Sequence, residues 1–359
     1  MRNDLLSNVS RLVVKLGTGV LTNARKQPDM GQIRQLVAQV AEQRRAGREV
    51  VLVTSGAVGA GMGALGYTAR PASLDALQAC AAVGQSRLMA TYEKLFSRHG
   101  LHVGQVLLTH DDLEHHARHL NARHTLLTLL RCGVIPIINE NDTISVTELK
   151  FGDNDKLSAL VCALLPADLL VILTTVDGVV ANFGTEEAHL LPVIERIDSE
   201  VEKLAGGTSS ATAVGGMSSK IQAAKIVVRA GIPLVIASGW KKGVLRRVLM
   251  AEEEGTLFVP HDHKLKGRKR WIAFFHHPKG TLVVDEGAKR ALREGNKSLL
   301  PPGIRECEGR FNAGEVVRIC DLSGGEFARG ITRFPATDIR AGKLARTEVV
   351  HRDDLVILL

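Results

Sequence analysis

The sequence predicts an α/β protein in which a mostly parallel sheet is sandwiched by helices and followed by a small β-rich module. Three observations lead there. Short, continuous apolar runs recur through the first two-thirds of the chain. Longer amphipathic stretches separate several of them. After about residue 257 the pattern changes to short alternating segments broken by glycine-containing turns. The apolar runs are Leu12–Lys15, Val50–Thr54, Gln105–Leu108, Ile135–Asn139, Leu169–Thr174 and Pro233–Ala237. Unbroken runs of this length suit strands covered on both faces. Met30–Gly47 and Lys156–Leu165 carry helical periodicity, and the strand–helix alternation implies parallel pairing through right-handed crossovers. Ligands of such sheets bind beyond the carboxyl ends of the strands, so the residues that follow each run are the functional candidates.

In the last quarter, GTLVVDEGA, GRFNAGEVVRIC, GEFARGITRF and VVHRDDLVIL predict the strands of the second module. Residues 1–260 are expected to form the first domain, 261–275 a basic linker and 276–359 the second domain; 359 residues suffice for two separate cores. Hydrophobic residues at 45% and charged residues at 23% exclude a disordered chain. No apolar run approaches the ~18 residues of a membrane span, and the amino terminus lacks the apolar centre of a secretory signal. Five cysteines, an odd number without a CxxC pair, suggest neither a disulfide framework nor a zinc site. The expectation is a reduced, cytoplasmic chain without membrane association.

A net charge of +8 hints at a nucleic-acid partner, yet its distribution weakens the hint. Residues 1–239 carry a net +1, residues 240–270 a net +5 and residues 276–359 a net +2. The surplus lies at the domain junction, densest from Lys264 to Arg270, and reads as a solvated linker rather than a binding face.

Three segments follow strands where anion chemistry is expected. VVKLGTGV runs a strand into a glycine-rich turn with Lys15 at its end, a point charge beside backbone amides that can approach an anion. VTSGAVGAGMGALG contains a formal GxGxxG at Gly61, Gly63 and Gly66. Those glycines begin well after the strand, and no acidic residue lies about 20 positions on, so a loop cradling a small anionic substrate, with Ser55 as donor, fits better than a dinucleotide site. AVGGMSSK, ending at Lys220 and opening an amphipathic helix, reads as a phosphate nest with a cation at its edge. The acidic counterparts are IINEND, ending at Asp142, and FGDND, ending at Asp155. These clusters suit binding an ammonium group, orienting lysines, or lying near Mg²⁺ carried by a nucleotide; Asp153 or Asn154 also suits a helix cap. Two lysines with two Asp/Asn clusters favour phosphoryl transfer, in which a protein chiefly positions groups and neutralises charge. Seven histidines crowd His99 to His124, with His115 and His119 on one helix face; without HExxH or a cysteine pair they read as a solvated helix, not a metal site.

Taken in order, VVKLGTGVLT, TSGAVGAG, AAVGQSRL, LNARHTL, PIINENDTIS, FGDNDKLSAL, LLVILT, GGMSSKIQAA, DEGAKRAL, SLLPPGI and GEVVRI resemble the glutamate 5-kinase family over nearly the whole chain. The resemblance implies an amino-acid-kinase fold with a C-terminal PUA domain, a small pseudo-barrel that binds RNA in other proteins. It implies phosphorylation of the γ-carboxylate of L-glutamate by ATP with Mg²⁺, the committing step of proline biosynthesis, commonly inhibited by proline, in a homodimer or homotetramer. Residue by residue, it gives Lys15 and Lys220 to the transferring phosphoryl group and the ATP phosphates, and Asp155 (with Asp153) to orienting those lysines. It gives Ser55, Asp142 and Asn154 to glutamate, with Asp142 on the α-ammonium. Thr174, Thr175 and the loop Val214, Gly215, Gly216, Met217, Ser218, Ser219 and Lys220 would line the nucleotide. No residue would ligate the metal itself, and no general base is needed, because the attacking carboxylate is already ionised. The chain departs from the family pattern at Thr175, where aspartate is usual, at Val214, where threonine is usual, and over residues 179–184, all on the nucleotide side. Kinases of acetylglutamate or aspartate are the same-class alternative, which the β-rich module and the NEND…GDND spacing oppose. RNA binding through the second domain is the different-class alternative, which its near-neutral charge opposes as a main role.

Overall fold

The computed structural model describes all residues except 24–26, 145–153, 207–215, 261–266, 275–277, 343, 345–346 and 359. The chain divides into two compact units, Met1–Lys264 and Leu265–Leu359.

In the first unit the apolar runs form β1 (Arg11–Leu16), β2 (Glu49–Val53), β3 (Val103–Leu108), β4 (Ile135–Glu140) and β5 (Leu169–Thr174). Further along are the two-residue pairs β6 (Val180–Ala181) and β7 (His189–Leu190), then β8 (Val193–Ile194), β9 (Leu234–Ser238) and β10 (Thr256–Phe258). Eight of these make one sheet in the order β3-β4-β2-β1-β5-β9-β10-β8. From β3 to β9 every neighbour is parallel; β10 runs antiparallel to β9, and β8, parallel to β10, forms that edge. The strands expected from sequence therefore appear within two residues of their predicted bounds. The strands β6, β7, β8 and β10 went unread because two or three residues are too few to show a period.

Alternation along β1 sends its residues to two layers. Leu12, Val14 and Leu16 join Ile33, Leu36, Val37 and Val40 of the helix Met30–Arg45 in one core. Asp29 caps that helix, its carboxylate accepting from Gln32 N at 3.0 Å. Val13 and Lys15 are thereby left to the opposite layer, where the helices Asn154–Leu164 and Met217–Arg229 pack together. Every residue of Asn154–Leu164 except Lys156 is buried, which accounts for a helix apolar nearly all round.

The glycine-rich stretch after β2 departs from expectation. After Gly56, in the left-handed region at φ +100°, it forms the helix Ala57–Ala64 and not an anion-cradling loop. A β-carbon on Gly61 would lie 1.8 Å from Cys80 O, and one on Gly84 1.7 Å from Ala57 O. Gly61 and Gly84 let two helix backbones touch, Ala57–Ala64 against Leu74–Ser97, so Gly61 of the GxGxxG match is a packing contact, while Gly63 and Gly66 face open space.

The second unit is a five-stranded mixed sheet of β11 (Gly280–Val284), β12 (Ile304–Gly309), β13 (Val316–Cys320), β14 (Glu326–Thr332) and β15 (Val350–Ile357), in the order β12-β11-β13-β14-β15. Leu282, Val284, Val317, Ile319, Phe327 and Leu355 fill its core. Within the stretch expected as linker, Gly267–Phe274 is a helix of this unit. Its Ile272 and Ala273 are buried, and Ala273 O accepts from Arg329 Nη1 at 3.1 Å. Lys264 lies outside the described residues.

Candidate active site

Parallel pairing brings the carboxyl ends of β1, β2, β4, β5 and β9 to one edge of the sheet. Lys15, one residue before the end of β1, lies level with Val53 of β2 and Ile172 of β5. Its ammonium stands 2.7 Å from Asp155 Oδ1, and that of Lys220, from the first turn of Met217–Arg229, stands 3.0 Å from Asp155 Oδ2. Ser219 Oγ donates to the same Oδ2 at 2.6 Å. All three charged side chains are buried: Lys15 is 6%, Lys220 5% and Asp155 1% exposed. Burial pushes the Asp155 carboxyl up, but the two ammonium groups and the hydroxyl outweigh it and hold the pKa down at about 2. Its place in the first turn of a helix also favours the anion. Asp155 is thus a fixed carboxylate holding two lysines that come from opposite ends of the domain's sequence. Asp153 lies outside the described residues.

Beside this triad sits a second cluster. Asn154 Nδ2 donates toward Thr54 O at 2.7 Å, Ser55 Oγ at 3.0 Å and Asn139 Oδ1 at 3.0 Å. The Asn154 Nδ2 group is therefore directed to the loop after β2 and the end of β4. Thr54 Oγ1 shares a 2.7 Å hydrogen bond with the fully buried Tyr92, whose phenol burial pushes up to about 12. Asp142 lies half-buried in the turn two residues beyond β4, the parallel neighbour of β2.

Thr174 ends β5, buried, and its carbonyl accepts from Gly239 N at 2.8 Å. Thr175 is exposed above the turn after β1; a β-carbon on Gly19 would come within 2.8 Å of its methyl group. Gly17 N donates to Leu173 O at 3.1 Å, tying that turn to β5. Gly216 precedes the helix at Met217, and its carbonyl oxygen lies 2.9 Å from Ser219 Oγ. Met217 and Ser219 are half-buried and Ser218 is exposed. Val214 and Gly215 lie outside the described residues.

Sequence reasoning missed Thr54, Tyr92, Gln85 and Asn139 as supports of the site. Two signals were available: Asn139 is an amide inside an otherwise apolar strand, and Gln85 is a polar residue on the buried face of its helix. The histidine cluster also needs correcting. His115 is exposed, but His119 is buried, with Nδ1 3.2 Å from Leu113 O, so only part of that helix face is solvated. Among the described residues, no group of three or more His, Cys, Asp or Glu is placed to hold a metal ion, and no helix is long and apolar enough to cross a membrane.

Two buried ammonium groups at the strand ends, held by one carboxylate and flanked by a glycine turn and a helix N-terminus, form a site for a polyanion. The neighbouring amide and hydroxyl cluster offers donors and acceptors for a smaller polar molecule. Comparison with known proteins identifies the family. The model of the amino acid kinase family matches residues 10–238, and that of the PUA domain matches residues 280–352. The chain is 48% identical to a glutamate 5-kinase of Moorella thermoacetica, over 98% of this chain and 97% of the relative. It is 48% identical to one of Geobacter sp., over the whole of both chains, and 46% identical to one of Methylococcus capsulatus, over 99% of each. Among solved structures, carbamate kinase from Giardia lamblia bound to AMP-PNP is similar in fold, with a TM-score of 0.51 and 20% identity over 71% of this chain and 100% of that one.

Proposed function

The chain belongs to the amino acid kinase family, among its glutamate 5-kinases, and from that premise we propose that Lys15 and Lys220, held by Asp155, carry a phosphoryl group from ATP to the γ-carboxylate of L-glutamate. The enzyme is an ATP-dependent kinase with a carboxyl group as acceptor, and its product, L-glutamyl 5-phosphate, begins proline biosynthesis. The observation that carries the site assignment is the Lys15–Asp155–Lys220 triad at the sheet's carboxyl edge.

The chemistry follows from charge. The γ-carboxylate of glutamate is ionised at neutral pH and attacks without a general base. Both reactants are anionic, so the barrier lies in bringing like charges together and in the charge on the moving phosphoryl oxygens. Lys15 and Lys220 meet that need from two sides, and Asp155 keeps both ammonium groups in place. Asn154 and Ser55 bind the acceptor amino acid, and Asp142 pairs with its α-ammonium. Thr174, Thr175, Gly216, Met217, Ser218 and Ser219 line the nucleotide, together with Val214 and Gly215. Mg²⁺ would be carried by the ATP phosphates and would there neutralise their charge, and no residue of this chain is assigned to it.

Asp142→Ala is expected to raise the KM for glutamate about tenfold or more, the loss of one charge-assisted contact, with the KM for ATP nearly unchanged. Steady-state kinetics with each substrate varied checks this ranking, and the reverse ranking would move Asp142 to the nucleotide. An ATP-consumption assay comparing glutamate, acetylglutamate and aspartate, with and without proline, tests the acceptor. Turnover on glutamate alone is expected, and preference for either rival would displace the reading. On the same reading the enzyme works in the cytoplasm as a homodimer or homotetramer that proline inhibits. RNA binding by the C-terminal domain would be a second activity and not the main one.

A further inference from the structure

The acceptor side of the site is backed by a line of side-chain amides whose polarity is fixed. Asn154 Nδ2 faces Thr54 O, Ser55 Oγ and Asn139 Oδ1; turned over, its own oxygen would meet two groups that can only accept. Asn139 Oδ1 also accepts from Glu140 N at 3.0 Å, so the other end of the Asn139 amide must donate. It does, from Nδ2 to Gln85 Oε1 at 2.9 Å, with both residues buried. Gln85 in turn donates from Nε2 to Gln105 Oε1 at 3.0 Å, on the edge strand β3, where Gln105 is exposed. One direction of donation therefore runs from Asn154, beside Ser55 and the triad, outward to the surface.

We propose that Gln85 is a positioning residue for the acceptor carboxylate and ammonium. By accepting from Asn139 Nδ2, it keeps Asn139 Oδ1 turned toward Asn154. That fixes Asn154 as donor to Ser55 Oγ, and the Ser55 hydroxyl keeps its own proton to give to a substrate carboxylate. The same constraint leaves Asn154 Oδ1 outside the cluster, as the atom that receives a substrate N–H. Without Gln85, Asn139 Nδ2 becomes a buried donor with its partner removed. An Asn139 amide that turned to escape this would set donor against donor at Asn154. The inference rests on the assignment of Ser55 and Asn154 to glutamate, and Gln85 acts on them only through Asn139.

The test uses the full-length enzyme as wild type and as Gln85→Met, Gln85→Asn, Gln105→Ala and Asn154→Ala. It reads steady-state kinetics for both substrates, calorimetric binding of glutamate without nucleotide, and the urea midpoint. Methionine keeps the volume of Gln85 and removes its polarity; asparagine keeps an amide but is too short to reach Asn139. Both are expected to weaken glutamate about tenfold in KM and in Kd, with kcat and the KM for ATP within about twofold. Gln105→Ala is expected to change the glutamate KM by less than about threefold, because water replaces an exposed partner. If Asn154→Ala weakens glutamate while a folded Gln85 variant binds it like wild type, the positioning role is wrong and the acceptor site stands. If Asn154→Ala leaves glutamate binding unchanged, the acceptor site and the role of Gln85 both fall. Parallel losses in kcat and in both KM values would mark Gln85 as a structural residue and overturn the proposal.

Discussion

Replacing Lys220 by alanine is expected to lower kcat by about 10²- to 10³-fold, the scale found when one preorganised group facing developing charge is removed. The reason is positional. The Lys220 ammonium is buried, 3.0 Å from Asp155 Oδ2, at the first turn of Met217–Arg229. It lies across Asp155 from Lys15, so under the proposed assignment its charge would act on a phosphoryl group moving between them and only weakly on a glutamate held by Ser55, Asp142 and Asn154. Glutamate binding measured by calorimetry without nucleotide should therefore stay within a few-fold of wild type. Arginine should not restore turnover, because a planar guanidinium cannot replace a compact ammonium in a site 5% exposed. Near-normal turnover of Lys220→Ala would remove the residue from the reaction.

Asp155→Asn is expected to be the most damaging single substitution at the site. Asparagine keeps the shape but removes the charge that two buried lysines share, and its Nδ2 sets a donor against an ammonium. Removing one partner of a buried ion pair costs about 3–5 kcal/mol, which urea unfolding at neutral pH would detect as a lower midpoint. Turnover should fall with it, since neither lysine keeps its anchor. The pH dependence has a definite sign. Because the folded carboxyl is held down at about 2, below its ordinary value of 3.8, its stabilising contribution is fully present above that ordinary value. It is lost as pH falls toward 2. The stability gap between wild type and Asp155→Asn should thus be constant from neutral pH down to about 5 and narrow below about 4. A gap that does not narrow in acid, or no gap at all, would contradict the ion-pair account.

Much of this was legible in the one-dimensional pattern. Strands covered on both faces must be continuously apolar, so β1, β2, β4, β5 and β9 stand out as runs, and parallel order puts their following residues at one edge. Lys15, Ser55, Asp142, Thr174 and Lys220 stand out as candidates because each follows or ends such a run, or opens a helix after glycines. Collinear resemblance then supplied their roles. Two positions were narrowed only by contacts from afar. Gly61 has the spacing of a ligand loop, yet a backbone 1.8 Å from where its side chain would start makes it a helix contact. Asn154 suits either a helix cap or a contact with other segments, and three oxygens from distant segments lie within 3.0 Å of its Nδ2. In both, local sequence left two uses open, and a distant segment chose between them.

The sequence by itself determined the fold class, the edge of the sheet where chemistry occurs and the residue types available there, because apolar periodicity and strand order are properties of neighbours along the chain. Only the tertiary structure decided that Asp155 is the shared anchor of Lys15 and Lys220, that Gly61 is a packing contact, and that Gln85 reaches Asn154 through Asn139. Those facts depend on strand register and on how closely helices approach. Both are set by burial of the whole core, and neither leaves a period in the sequence.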